Sequence, residues 1–130
     1  MPHITLEYSA NLEDQIDIAA LCVALRDAAV ACGVFPPAGI RVRAFAATHV
    51  VIADGDPGHG FIDIAVRIGA GRDAETQARA ADAVFAAAEA FTADHMAQAP
   101  FMLSLELREA AAATSRKTSS IRRFLPPEMH

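Results

Sequence analysis

Apolar and polar side chains alternate at the start of the chain. Ile4, Leu6 and Tyr8 fall on one side of the pattern, and Thr5 and Glu7 fall on the other. Alternation with a period of two is typical of a β-strand that has one buried face. The same pattern predicts three further strands, at residues 40–46, 61–68 and 102–108.

Two long alanine-rich segments predict helices. Asn11 is a suitable N-cap for the first helix, which we expect over residues 12–32 because a glycine follows and ends it. Asp73 is a suitable N-cap for the second helix, which we expect to run to about Met96. Residues 49–60 contain an Asp-Gly turn signal and are predicted to form either a small hairpin or an irregular excursion.

Residues 2–46 and 61–108 share the order strand, helix, strand. Each segment is therefore predicted to be a βαβ unit whose two strands lie parallel and are joined by a right-handed crossover. The expected fold class is α/β, with a four-stranded mixed sheet and both helices on one face. We expect one domain over residues 1–113, followed by a C-terminal arm or tail over residues 114–130.

The sheet face turned away from the helices, called here the charged face, is predicted to carry charges of both signs. Such a face is either solvated or covered when copies of the subunit close their sheets around an axis. The pattern alone leaves both interpretations open. Among the residues predicted to lie there are Arg41, Arg43, Asp63, Arg67 and Glu106.

Composition and charge argue against several classes of protein. The 130 residues carry a formal net charge of -5, and the 11 Lys and Arg residues are not gathered on one face, so we expect no nucleic-acid partner. The longest uncharged apolar run, residues 18–25, is much shorter than the roughly 20 residues that span a membrane. The chain starts without the basic and apolar regions of a secretory leader, so we expect a cytoplasmic protein with no membrane partner.

Neither the cysteines nor the histidines suggest a metal site. Cys22 and Cys32 are about ten residues apart on the predicted first helix, which separates them by roughly 15 Å, beyond disulfide reach. The five histidines occur singly. Nucleotide-binding and nucleophile motifs are also missing from the sequence, so we expect no metal and no cofactor.

Pro2 is the most unusual candidate for chemistry. An initiator methionine before a small residue such as proline is normally removed, so the mature chain would begin with a secondary amine at the head of a strand. Many proteins begin Met-Pro without using that amine. Here, however, Arg41 opens the second strand, and Arg72 ends a Gly-Ala-Gly turn at a helix N-terminus. Such a turn directs backbone N–H groups and a guanidinium towards an anion.

Several strings of residues resemble one known family. They are Pro2-His3 through Glu7, the string GVFPPAGIRVR at residues 33–43, Ala-Asp-Gly at residues 53–55, and IGAGR at residues 68–72. With this spacing, most of the chain resembles the 5-carboxymethyl-2-hydroxymuconate isomerases of the tautomerase superfamily.

The resemblance implies a homotrimer of βαβ-βαβ subunits in which Pro2 is the catalytic base. It implies that Arg41 and Arg72 bind and polarise the substrate, and His3 and Arg43 are further candidates for substrate binding. The implied reaction moves a proton in a hydroxy-diene tricarboxylate, 5-carboxymethyl-2-hydroxymuconate, to give its conjugated keto isomer. A single base with a pKa near neutrality suffices for this step without a cofactor, and guanidinium groups suit carboxylates.

Other interpretations of these residues stay open. Arg41 and Arg43 are also suited to cross-strand charge pairs, Arg72 to an exposed helix end, and His3 to a structural role. A tautomerase with a different enol or keto acid substrate has the same requirements, and so does a non-catalytic trimer that binds an anionic metabolite. In each case the expected partners are a small carboxylate and further copies of this chain.

Overall fold

Four strands form one mixed sheet, and two helices cover one of its faces. The computed structural model describes residues 1–130, with strands β1 (His3–Ser9), β2 (Arg41–Ala47), β3 (Gly60–Ile68) and β4 (Phe101–Glu109) and helices α1 (Ile18–Ala31) and α2 (Ala74–Gln98). The strand order is β2-β1-β3-β4. β1 pairs in parallel with β2 and antiparallel with β3, and β3 pairs in parallel with β4. The predicted α/β fold, with two βαβ units in one mixed sheet, is confirmed.

The core lies between the sheet and the two helices. The inward side chains of β3 are at most 1% exposed, because every second side chain of a strand turns to the same face. Burying an aliphatic side chain of this size contributes about 1.5–3 kcal/mol. The central strands therefore anchor the sheet to the helices through Ile4 and Leu6 of β1, Ile62, Ile64, Val66 and Ile68 of β3, Leu21 and Leu25 of α1 and Val84 of α2.

The first helix begins later than its sequence pattern predicts. It starts at Ile18, where Asp17 Oδ1 accepts a hydrogen bond of 3.0 Å from the Ala20 N–H. The prediction that Asn11 is the N-cap is wrong. Asn11 instead lies in a short 3-10 turn, Ala10–Leu12, that ends β1 and buries Leu12 against the core.

Residues 48–59 form an irregular excursion that contains no strand, which settles the choice between the two interpretations of this segment. The Asn11 side chain fastens the loop to the end of β1, because its amide donates to the carbonyl oxygens of Pro57 and His59 at 3.2 and 2.8 Å. Asp54 Oδ1 lies 2.7 Å from His59 Nε2 within the loop. Asn11 therefore stabilises a loop distant in sequence and does not cap the helix that follows it.

The second helix begins as predicted. Asp73 Oδ1 accepts a hydrogen bond of 2.8 Å from the Thr76 N–H, and the helix continues to Gln98, slightly beyond the predicted end. The cap fixes the start of α2 directly after Arg72. Neither helix is both long enough and apolar enough to cross a bilayer.

We expect Gly60→Ala to destabilise the fold. Gly60 is buried at the start of β3, and a Cβ there would lie 2.8 Å from Leu12 Cδ2 and 3.3 Å from Ser9 Oγ. Overpacking of this kind lowers the free energy of unfolding by about 1–3 kcal/mol, which urea denaturation measures. Gly58→Ala is the control, because a Cβ there approaches only the exposed Asp56 side chain. Equal denaturation midpoints for the two variants would contradict the prediction.

Candidate active site

The amino terminus lies at the end of the sheet where the central strand β1 begins, and several segments of the chain meet there. Parallel pairing with β2 places Arg41 beside His3, the first residue of β1. Antiparallel pairing with β3 places Arg67 on the other side of His3. The turn Gly69–Arg72 follows directly after β3, so it reaches the same end of β1. The topology therefore brings Arg41 and Arg72 to the amino terminus from opposite sides.

Pro2 is buried in this position. Its carbonyl oxygen accepts a hydrogen bond of 3.1 Å from the Arg41 N–H. A Cβ on Gly39 would lie 3.6 Å from both Pro2 Cδ and Met1 Cα, and a Cβ on Gly69 would lie 3.7 Å from the Met1 nitrogen. The terminus thus lies in ordinary contact distance of two glycine segments, one before β2 and one after β3.

The guanidinium of Arg41 is directed at the first residue of the chain. Its Nη1 donates to Met1 Sδ at 2.6 Å and to the carbonyl oxygen of Gly39 at 3.3 Å. A thioether sulfur is a weak acceptor, and a carboxylate binds a guanidinium much more strongly. Arg41 is therefore placed to exchange its contact with Met1 for a contact with an anion.

Arg72 reaches the same region from the turn before α2. The turn is possible because Gly71 adopts a φ of 113°, which favours glycine. The Arg72 guanidinium lies 5.2 Å above the ring of the buried Phe35 and donates to the carbonyl oxygens of Val34 and Gly69 at 3.3 and 3.4 Å. These contacts orient the guanidinium and leave further N–H donors unused, because a guanidinium carries five.

One backbone N–H of this turn, which the sequence suggests as an anion site, already has a partner within the protein. The Gly71 N–H donates to Glu109 Oε2 at 3.0 Å, so a carboxylate of the protein already occupies it. The bond also ties the end of β4 to the turn. The Gly71 N–H is therefore not available to an anion, whereas the Arg72 side chain keeps unused donors at this point.

Burial and nearby positive charge lower the pKa of the Met1 amine. Burial is the largest cause, followed by the charges of Lys117, Arg72 and Arg41 in that order. Each favours the neutral amine, which is able to accept a proton. The sequence does not predict that Lys117 lies near the amine, because no motif connects the C-terminal segment with the amino terminus.

His3 and Arg43 lie beside the amine but on the charged face of the sheet. Arg43 Nη1 is 3.2 Å from His3 Nδ1, and Arg43 makes no hydrogen bond to Met1 or Pro2. Burial is the largest cause of the lowered pKa of His3, and the charges of Arg67, Arg43 and Arg41 add to it. The two side chains thus contact each other, whereas the Arg41 side chain contacts Met1 and the charge of Arg72 acts on the amine without a hydrogen bond to Met1 or Pro2.

Two adjoining cavities flank the amino terminus. One, of ≈ 410 Å³, is lined by Met1, His3 and Gly69 and by the segment that follows β4. The other, of ≈ 630 Å³, lies over the charged face and shares His3 and Arg67 with the first. Positive charge is concentrated beside these cavities because of the strand register. One row across the four strands contains Arg41, His3, Arg67 and Arg108.

The groups around the amine suit a small anion. Two half-buried guanidinium groups near the amino terminus have N–H donors that suit carboxylates, and the lowered pKa of the amine favours its proton-accepting form. No group of three or more His, Cys, Asp and Glu side chains is placed to hold a metal ion.

The fold, with two βαβ units in one four-stranded sheet, matches solved structures of 5-carboxymethyl-2-hydroxymuconate isomerases, which belong to the tautomerase superfamily. A sequence model described as 5-carboxymethyl-2-hydroxymuconate isomerase matches residues 2–125. The chain therefore belongs to the 5-carboxymethyl-2-hydroxymuconate isomerase family, which confirms the resemblance found in the sequence strings.

Three relatives illustrate this similarity. The 5-carboxymethyl-2-hydroxymuconate Delta-isomerase of Escherichia coli is 29% identical over 121 residues, which cover 93% of this chain and 96% of that protein. A crystal structure of a 5-carboxymethyl-2-hydroxymuconate isomerase from Deinococcus radiodurans R1 is 35% identical, with a TM-score of 0.87 and coverage of 96% of this chain and 95% of that one. A crystal structure of a 5-carboxymethyl-2-hydroxymuconate delta-isomerase is 32% identical, with a TM-score of 0.87 and coverage of 95% and 92%.

We expect the pKa of His3 to lie below that of an exposed histidine, as measured by NMR titration of the ring protons. Arg43→Gln is expected to raise it, because the guanidinium both repels the imidazolium and donates to the neutral ring. Folding lowers the pKa of His3, so the neutral ring stabilises the folded state at pH values above the pKa that His3 has in the unfolded chain. This contribution to stability is lost as the pH falls from that value to the pKa of His3 in the folded protein. Arg79→Gln, on the exposed side of α2, is the control. The same His3 pKa in both variants would contradict the contact.

Proposed function

We propose that this protein is an isomerase that converts 5-carboxymethyl-2-hydroxymuconate into its conjugated keto isomer, with the amine of Pro2 as the base. The family to which the chain belongs is an isomerase family that acts on a small carboxylate. The observation that supports the residue roles is the position of Arg41 and Arg72 near one partly buried amino terminus whose amine has a lowered pKa.

Removal of Met1 is part of this proposal. While Met1 is present, the nitrogen of Pro2 belongs to a peptide bond and is not basic. Cleavage turns that nitrogen into a secondary amine and takes away the sulfur that now contacts Arg41 Nη1. The same event therefore creates the base and frees the guanidinium for a carboxylate.

The proposed reaction is a proton shift within one molecule. The Pro2 amine takes the proton of the enol hydroxyl, and the electron pair of the broken O–H bond moves into the conjugated system. The protonated amine then gives its proton to a carbon at the other end of that system. One O–H bond is lost and one C–H bond is formed, so the step needs no oxidant, reductant or second substrate.

Arg41 and Arg72 bind substrate carboxylates and stabilise the dienolate charge that develops between the two proton transfers. A hydrogen bond between charged partners contributes about 1.5–3 kcal/mol, so two such residues account for a large part of substrate affinity. His3 and Arg43 line the adjoining cavity and are proposed to contact the part of the substrate that extends over the charged face.

The surroundings of the amine also set the pH range of the reaction. Burial and the charges of Lys117, Arg72 and Arg41 lower the pKa of the Met1 amine, and we expect the same influences to act on the Pro2 amine one residue further in. A lowered pKa leaves more of the amine neutral near pH 7. The value of kcat/KM is therefore expected to rise with pH until the amine has lost its proton.

A homotrimer formed through the charged face is also part of the proposal. In the single chain, Phe45 and Met102 on that face are 56% and 64% exposed. Covering them against neighbouring subunits would remove apolar surface from water. The C-terminal arm has the same feature, since Phe124 is 76% exposed, and we propose that Phe124 and Leu125 dock on a neighbouring subunit.

The proposal includes a cytoplasmic location. Cys22 and Cys32 are free and half-buried. Free thiols are typical of a reducing compartment. Both thiols pack against the core as small apolar side chains, so we propose no role for them at the site.

Two alternatives remain distinct from this proposal. A chain that keeps Met1 retains both arginines but has no base, and it would be a non-catalytic binder of an anionic metabolite. The contact between Met1 and Arg41 is the observation that favours this alternative. A tautomerase with another enol or keto acid substrate is distinguished by comparing kcat/KM over a panel of such acids.

We expect the protein without Met1 to accelerate the decay of the ultraviolet band of dienolic 5-carboxymethyl-2-hydroxymuconate. Pro2→Ala is expected to lower kcat/KM by about tenfold, because the alanine that then begins the chain presents a less basic primary amine that no ring holds in place, whereas retention of Met1 removes the base and is expected to cost roughly 10²–10⁴-fold. Arg41→Gln and Arg72→Gln are each expected to lower it about 10- to 100-fold, through loss of one charge-assisted contact.

The control for these variants is Arg26→Gln, because Arg26 pairs with Asp27 on the surface of α1. Intact mass is measured on every sample to establish whether Met1 is present. Decay no faster than in buffer, in a sample shown to lack Met1, would overturn the enzyme assignment. Equal rates in samples with and without Met1 would overturn the role of the amine as the base.

Light scattering is expected to give three times the mass of one chain. Phe45→Ser together with Met102→Ser is expected to shift the protein towards the monomer, because the substitutions remove apolar side chains from the proposed interface. Phe91→Ser is the control, since Phe91 is 38% exposed on α2, away from the charged face. A wild-type monomer at all concentrations would contradict the trimer.

A further inference from the structure

The segment after β4 returns to the amino terminus. The Ala110 N–H donates to the carbonyl oxygen of Ile68 at 2.7 Å, which extends the pairing of β3 and β4 beyond its last residues. A turn follows, in which the Ser115 N–H donates to the carbonyl oxygen of Ala111 at 3.0 Å. Because the end of β3 lies beside the start of β1, the turn places residues 114–117 next to Met1.

This segment forms one wall of the smaller cavity, of ≈ 410 Å³. Met1, His3 and Gly69 form part of the remaining lining, and Arg67 adds a guanidinium. The lining includes no Asp or Glu, although the whole chain has 16 acidic residues and a net charge of -5. The cavity is therefore suited to an anion that also reaches the amine.

Lys117 and Arg67 are the two charged lining residues that make no hydrogen bond or ion pair within the protein, and Lys117 is the one that comes from the segment after β4. Its side chain is exposed, and its ammonium makes no hydrogen bond or ion pair with another residue. The neighbouring Arg116 differs, because its Nη1 donates to the carbonyl oxygens of Ala113 and Ser115 at 3.0 and 3.1 Å. An unpaired ammonium at the wall of an anion-sized cavity is available to a ligand.

We propose that Lys117 is a substrate-binding residue whose ammonium holds a carboxylate of the substrate at the wall of the cavity beside the amino terminus. This inference rests on the proposed function and deepens it, because Arg41, Arg72 and Lys117 supply three cations for a substrate that carries three carboxylates. The effect of Lys117 on the pKa of the Met1 amine agrees with this placement, since it exceeds the effects of Arg72 and Arg41. Residues 114–117 then belong to the site, although the sequence analysis placed them in a tail outside the domain.

The first test compares Lys117→Met, Lys117→Arg and Arg122→Met in the protein without Met1. Arg122→Met removes the same charge from the same segment, at a side chain that donates to the carbonyl oxygen of His130. Lys117→Met is expected to raise KM about tenfold, equivalent to ~1.4 kcal/mol, and to move the rise of kcat/KM to higher pH. It is expected to leave kcat within about twofold at a pH above that rise. Lys117→Arg is expected to restore both KM and the pH profile.

The second test uses binding and needs no turnover. Lys117 is the only lysine in the chain, so an amine-reactive acylating reagent has only this side chain and the amino terminus as amine targets, and peptide mapping separates the two. A non-reacting tricarboxylate, propane-1,2,3-tricarboxylate, is expected to slow acylation of Lys117 at least threefold. A monocarboxylate of the same concentration and ionic strength, such as acetate, is the control and is expected to have no effect.

The two tests separate failure of this inference from failure of the proposed function. If Lys117→Met has the KM and pH profile of Arg122→Met in an active enzyme, and the tricarboxylate gives no protection, the role of Lys117 is overturned while the isomerase stands. If the wild-type protein lacks isomerase activity but Lys117 is protected, the anion contact stands and the proposed reaction fails. Equal protection by acetate would overturn the contact with a polycarboxylate.

Discussion

Positive charge gathered around a partly buried amino terminus is the constraint on which the rest of this structure depends. The charges of Lys117, Arg72 and Arg41 each disfavour a protonated amine, and burial removes the water that would stabilise it. The chain as a whole is acidic, with a net charge of -5, so the positive potential at this edge is local. A small polycarboxylate is attracted to such a place even though the rest of the surface repels it.

The mixed sheet is what gathers these cations. β1 is parallel to β2 and antiparallel to β3. The first residue of β1 therefore lies beside the start of β2 and beside the end of β3. Arg41 is the first residue of β2, and Arg72 follows the end of β3 after a glycine turn. The segment beyond β4 arrives at the same edge, because β3 and β4 run in the same direction. One topological arrangement therefore supplies every cation near the amine.

Contacts of Arg72 and of the turn before it then hold these residues in place. The ring of Phe35 supports the guanidinium of Arg72, and Glu109 holds the Gly71 N–H and so fastens the turn to β4. The contact with Glu109 occupies a backbone N–H that would otherwise be able to bind an anion. The Arg72 guanidinium keeps N–H donors that are free to bind one. The site is in this way built on the rigid edge of the sheet, which suits a reaction that needs one base held in a constant position.

The sequence by itself determined the strands, their inward faces and the two βαβ units, because the alternation of side chains along a strand is a local property. It also pointed to Pro2, Arg41 and Arg72, since these residues lie in strings specific enough to indicate the family. Only the tertiary structure decided that Asp17 and not Asn11 caps the first helix, because Asn11 finds its partners in a loop distant in sequence. Only the tertiary structure placed Lys117 beside the amine, since a side chain far along the chain approaches the amino terminus only when the strands between them have paired.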